Sequence, residues 1–111
     1  YEVRGEKLFI YLPEELDHHN SKVITEQSDW YIVSNQIRNI VFNFKNTNFM
    51  DSSGIGIILG RYNQLKSVNG TVMVIGMKPL VSKVFELSGL SKIIKVIEDD
   101  SQLESAIRGI A

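Results

Sequence analysis

Cysteine is absent from the 111 residues. That excludes a disulfide framework, a thiolate-bound zinc or iron–sulfur centre and a cysteine nucleophile together. It also suits a reducing cytosol. Proline occurs only twice, and there is no low-complexity tract or internal repeat that would mark a linker, so one domain over residues 1–111 is expected. Charge of one sign is missing as well: 12 Lys+Arg stand against 13 Asp+Glu, and no window gathers basic residues into a stripe. Direct nucleic-acid binding is therefore not expected. The longest nearly apolar stretch, Ile55–Leu59 around Gly56, is far short of the roughly 20 residues that cross a bilayer. No signal-peptide pattern stands at the start. These absences lead us to expect a soluble cytoplasmic protein with no membrane partner.

What is present reads as alternating strands and helices. Tyr1 and Val3 lead through the turn Arg4-Gly5-Glu6-Lys7 into Leu8–Leu12, an opening hairpin that Pro13 ends. Asp17-His18-His19-Asn20 reads as a loop that delivers a poorly patterned helix over Ser21–Val33, followed by a strand over Asn39–Phe44. Ile55, Ile58, Leu59, Tyr62 and Leu65 recur at helical spacing, and Asn69-Gly70 closes that segment. Thr71–Ile75 is a strand. Pro79 opens a helix with Leu80, Val84 and Leu87 on one face and Gly89 as its stop. Ile93–Ile97 is the last strand; Glu98-Asp99-Asp100 and the cap Ser101 lead into a helix with Leu103, Ala106, Ile107 and Ile110. This order predicts an α/β domain with a mixed, mostly parallel sheet of about five strands opening with a hairpin, and about four helices.

In such sheets, reactive groups collect beyond the carboxyl ends of the strands. Two segments fall there: Pro13–Asn20, and Phe49-Met50-Asp51-Ser52-Ser53-Gly54. One reading of Asp51, Ser52 and Ser53 is helix capping, because their oxygens accept from unpaired N–H groups. Yet one cap needs one residue, and Gly54 and Gly56 each weaken a helix by about 1 kcal/mol relative to Ala. Close backbone approach by a partner would explain the glycines, as would tight helix–sheet packing through Gly56-xxx-Gly60.

The parts of a hydrolase are there: Ser52 or Ser53 as nucleophile, His18 or His19 as base, Asp17 or Asp51 to orient it. The G-x-S-x-G elbow is missing, however, and adjacent histidines point in different directions. No metal-ligand spacing such as H-x-x-x-H occurs. An aspartyl-phosphate reading of Asp51 would need a magnesium site, for which Glu14, Glu15 and Asp17 are the supply. Phosphate accepted on a serine is the remaining use. At a helix start the N–H groups favour an anion by about 0.3–1 kcal/mol.

Phe49-Met50-Asp51-Ser52-Ser53-Gly54-Ile55-Gly56, continuing through Leu59-Gly60-Arg61-Tyr62, resembles the signature of the anti-sigma factor antagonists among the STAS domains. Glu15-Leu16-Asp17-His18-His19 and the run from Pro79 through Phe85, Ser88-Gly89-Leu90 and Lys92-Ile93-Ile94 fall in the same order, and are more similar to the sporulation branch than to the general-stress branch. The resemblance implies a phosphoprotein regulator of transcription without catalysis, cofactor or metal of its own. It implies two partners: an anti-sigma factor that is also an ATP-dependent serine kinase, and a metal-dependent serine phosphatase. Ser52 maps onto the phosphorylated serine. Asp17, Asp51, Ser52, Ser53, Gly54 and Ile55 map onto the partner surface. Pro13-Glu14 departs from the family's glycine there, and Ser28–Asn35 matches poorly, with Trp30 and Tyr31 expected to pack under the sheet. Some STAS domains bind guanine nucleotides, which keeps weak nucleotide binding in view although no phosphate-binding glycine loop is present. The alternative from another class is a small nucleotide-binding or hydrolytic protein using the Asp51-Ser52-Ser53 and Asp17-His18-His19 segments.

Overall fold

The computed structural model describes residues 1–98, with Gln102 and Ser105 beyond them. The strands are β1 (Glu2–Arg4), β2 (Lys7–Tyr11), β3 (Glu15–Leu16), β4 (Asn39–Asn43), β5 (Phe49–Met50), β6 (Thr71–Ile75) and β7 (Lys95–Ile97). The helices are α1 (His18–Asn35), α2 (Ser52–Lys66) and α3 (Pro79–Leu87), with a 3₁₀ turn at Leu90–Lys92. Five strands form one sheet in the order β1-β2-β4-β6-β7, antiparallel only at the opening hairpin. This is the mixed, mostly parallel sheet expected from the sequence. Of the expected helices, three lie among the described residues. The fourth, over Leu103, Ala106, Ile107 and Ile110, falls outside them, as do Asp99, Asp100 and Ser101.

Register lines the core up in rows. Leu8 pairs with Ile40 and Ile40 with Val72; two residues on, Ile10 pairs with Phe42 and Phe42 with Val74. Because successive strand residues point to opposite faces, both rows meet the helices, which add Ile24, Ile32, Ile57, Ile58, Leu65, Val81 and Phe85 to one core. Phe9, Val41, Met73, Ile75 and Ile97 are buried on the other face. Each fully buried aliphatic or aromatic side chain contributes about 1.5–3 kcal/mol.

Several expectations need correction. Helix α1 begins at His18, not Ser21, because Asp17 caps it. Its pattern is poor because half of its buried face is serine, Ser21 and Ser28 beside Ile24 and Ile32, while Val23, Trp30 and Val33 point outward. Trp30 does not pack under the sheet: it is 63% exposed and meets the edge of Tyr31, which stacks on Tyr1. On α2 the buried face is Gly54, Ile57, Ile58, Arg61 and Leu65, and Leu59 is exposed. On α3 the buried residues are Val81 and Phe85, whereas Leu80 and Leu87 face outward. The final strand is shorter than Ile93–Ile97, since the 3₁₀ turn consumes the residues before Ile93 and leaves that side chain exposed.

Candidate functional site

A second, two-stranded sheet escaped the sequence reading. Strands β3 and β5 run parallel, with Glu15 opposite Phe49 and Leu16 opposite Met50. Two-residue strands carry no alternation to read. The pairing lies within Pro13–Asn20, so that segment is not the open loop expected. Its backbone is pinned: Thr47 Oγ1 donates to Pro13 O at 2.8 Å, and Asn48 N and Phe49 N donate to Glu14 O at 2.8 and 3.2 Å. Pro13 thus costs the segment no order, since its carbonyl is the group in use.

Asp17 and Asp51 follow the paired residues directly, so the ladder sets them side by side, and Asp51 N donates to Leu16 O at 3.2 Å. Each aspartate starts a helix. Asp17 Oδ1 accepts from Asn20 N at 2.9 Å, and Asp51 Oδ1 accepts from Ser53 N at 2.8 Å. The amide of Asn20 closes the corner by donating to Glu15 O at 2.7 Å. Two helix N-termini therefore open at one place, each with an extended-backbone aspartate cap. That resolves the three candidate caps of α2: Asp51 does the capping. Ser52 is left exposed as the first helical residue, and Ser53 is half-buried behind it.

The glycines divide. A Cβ on Gly54 would stand 2.6 Å from Met50 Cγ and 2.8 Å from Leu16 Cδ2. This glycine lets α2 close down on the β3–β5 ladder, and Ile55 beside it packs half-buried against the core. Gly56 and Gly60 have nothing within 4 Å of an added Cβ. Helix–sheet packing through Gly56-xxx-Gly60 is therefore overturned: both glycines face outward on the same side of α2 as Ser52 and Leu59.

Arg61 is the functional-looking residue that periodicity missed. It is 7% exposed and crosses from α2 to α1, donating to Asp29 Oδ1 and Gln64 Oε1 at 2.5 Å each and to Thr25 O at 3.1 Å. It clamps the two helices whose N-termini form the site. No signal in the sequence separates a clamp from a surface arginine at that helical position.

Hydrolytic geometry does not assemble. His18 and His19 are the first two residues of α1 and are exposed, and among the described residues no hydrogen bond joins either to Ser52 or Ser53. The aspartates that would orient a histidine are turned to backbone N–H groups instead. Among the described residues no group of three His, Asp or Glu side chains is placed to hold a metal. No described helix is long and apolar enough to cross a membrane.

The STAS domain profile matches residues 1–103. The chain belongs to the STAS family. A STAS relative, the anti-sigma F factor antagonist of Paenibacillus polymyxa, is 40% identical over 93 residues, covering 84% of this chain and 80% of that protein. Among solved STAS structures, the anti-sigma factor antagonist SpoIIAA in its unphosphorylated form superposes with a TM-score of 0.84 at 34% identity, covering 100% of this chain and 96% of that one. The phosphorylated form of the Bacillus protein superposes at 0.73 with 32% identity, covering 96% of each chain. The sporulation-branch likeness seen in the motifs thus extends over the whole STAS fold.

Proposed function

We propose that this chain is a cytoplasmic anti-sigma factor antagonist whose binding is switched by phosphorylation on Ser52. Its partner is an anti-sigma factor that is also a serine kinase. The unphosphorylated antagonist occupies that partner and releases the sigma factor; phosphate moved from ATP to Ser52 Oγ ends the binding, and a metal-dependent phosphatase restores it. The antagonist acts by binding, not turnover.

The observation that carries this reading is the placement of Ser52. It is the exposed first residue of α2, freed from capping by Asp51 and set beside Asp17 by the β3–β5 ladder. A kinase can reach such a hydroxyl, and a partner seated there would bury it. Gly56 and Gly60 add support, because the surface running down α2 from Ser52 lacks side chains that internal packing did not require it to lose. A phosphate brings roughly two negative charges beside two aspartates. Burying an unpaired charge at an interface costs several kcal/mol, and each 1.4 kcal/mol is about tenfold in affinity. A loss of about a hundredfold or more is expected.

The test is intact mass after incubation with ATP and the cognate anti-sigma kinase. One phosphate should appear on the wild type and none on Ser52→Ala. An unimpaired Ser52→Ala substrate would overturn the assignment. Ester or nucleotide hydrolysis that survives repurification and vanishes in Ser52→Ala would instead make the chain an enzyme.

A further inference from the structure

We propose that the outer edge of β1, with the aromatic cluster beside it, joins a second copy of this chain in a symmetric dimer. Strand β1 ends the five-stranded sheet and pairs with β2 alone. Arg4 and Lys7 flank the two-residue turn Gly5-Glu6 and stand opposite each other in the ladder. In such a hairpin the pair at the turn exchanges hydrogen bonds, and bonded and unbonded pairs then alternate. Val3, the next residue, therefore turns its N–H and C=O away from β2 and out of the edge.

Short, charged edge strands ordinarily discourage such pairing. Here the charges favour it. With two copies antiparallel about a two-fold axis at Val3, each Glu2 stands opposite the second copy's Arg4. Opposite charges across a strand pair stabilise it, and like charges oppose it. Within one chain Arg4 Nε already donates to Glu2 Oε2 at 2.8 Å, so the two side chains share one face of the sheet. The other sheet edge, β7, has Lys95 as its one charge, so two copies meeting there gain no such match. Three residues of strand bury far less than the about 800 Å² that each side of a stable interface takes. Rings supply the rest. Tyr1, leading into β1, stacks on Tyr31 with centroids 4.7 Å apart, and Trp30 meets Tyr31 edge-on at 5.0 Å. Trp30 is exposed, as is Val23 two turns earlier on the same stripe of α1. A two-fold axis normal to the sheet keeps both copies' helices on one face, so the two ring clusters meet across the joined edges. None of these residues belongs to the Ser52 corner, so the proposal stands apart from the reading above.

Sedimentation of the chain at about 100 µM, where a micromolar dimer is almost fully associated, tests this. The wild type should sediment at twice the monomer mass. Glu2→Arg sets arginine against arginine, and Arg4→Glu sets glutamate against glutamate. Each alone should be monomeric with a melting temperature near the wild type's, because an exposed ion pair contributes little. Mixed in equal parts, the two variants become complementary and should recover the dimer. Loss of the Glu2–Arg4 contact within one chain cannot produce that rescue. Should Arg4→Glu fail to fold, Val3→Pro removes the outward N–H while leaving the β2 ladder intact, and it should be monomeric, as should Trp30→Ser. A monomeric wild type overturns the proposal. So does a dimer that persists in the charge variants or in Val3→Pro, or a mixture that stays monomeric.

Discussion

Asp17 and Asp51 each hold a helix start with one carboxylate oxygen, and substitution can separate that capping from their charge. Asparagine caps about as well as aspartate, whereas alanine at a cap costs about 1 kcal/mol. Asp17→Asn should therefore unfold as the wild type does, and Asp17→Ala should melt a few degrees lower. Both should bind the anti-sigma factor more weakly; equal affinity of Asp17→Asn by calorimetry would remove the charge from the interface. The paired serines separate in the same way. Ser52 is exposed and Ser53 half-buried with its N–H committed to Asp51, so phosphopeptide mapping should place the label on Ser52 alone. Because an anion at a helix N-terminus is favoured by about 0.3–1 kcal/mol, the phosphorylated protein should melt no lower than the free one.

Helix α2 shows how far a pattern reaches. The recurrence of Ile55, Ile58, Leu59, Tyr62 and Leu65 reveals a helix, yet the face that is buried is Gly54, Ile57, Ile58, Arg61 and Leu65. Periodicity locates an apolar stripe to within a residue or so, and a buried arginine or glycine is invisible to it. The helix's glycines yield opposite expectations. Gly54→Ala pushes a methyl into Met50 and Leu16 and should destabilise by about 1–3 kcal/mol, as overpacking does. Gly56→Ala meets open space and should stabilise by about 1 kcal/mol through helix propensity. Thermal unfolding of the two variants should move in opposite directions from the wild type, and a common direction would contradict the packing described.

For the molecule as a whole, the proposed phosphorylation of Ser52 should act where it lands and not refold the domain. Ser52 sits on a helix held by Ile57, Ile58 and Leu65 and clamped to α1 by Arg61. One surface phosphate has little leverage against several side chains each worth about 1.5–3 kcal/mol. Backbone amide spectra of the free and phosphorylated protein should differ around Asp17 and Asp51–Ile57 and agree across β6 and α3. Shifts spreading through Thr71–Ile75 would mean a conformational switch.

By itself, the sequence determined the order of the five main-sheet strands and of the three described helices, the hairpin, the mostly parallel sheet and the motif from Phe49 to Gly56, because each is written in local spacing, turn residues or a contiguous signature. The tertiary structure alone decided that β3 and β5 pair, so that Asp17 and Asp51 lie together, since a two-residue ladder between distant segments leaves no periodic trace. It also decided which glycine is a packing requirement and which face of α3 is outside. Both depend on what stands opposite a residue across the fold, and no window of neighbouring residues contains that partner.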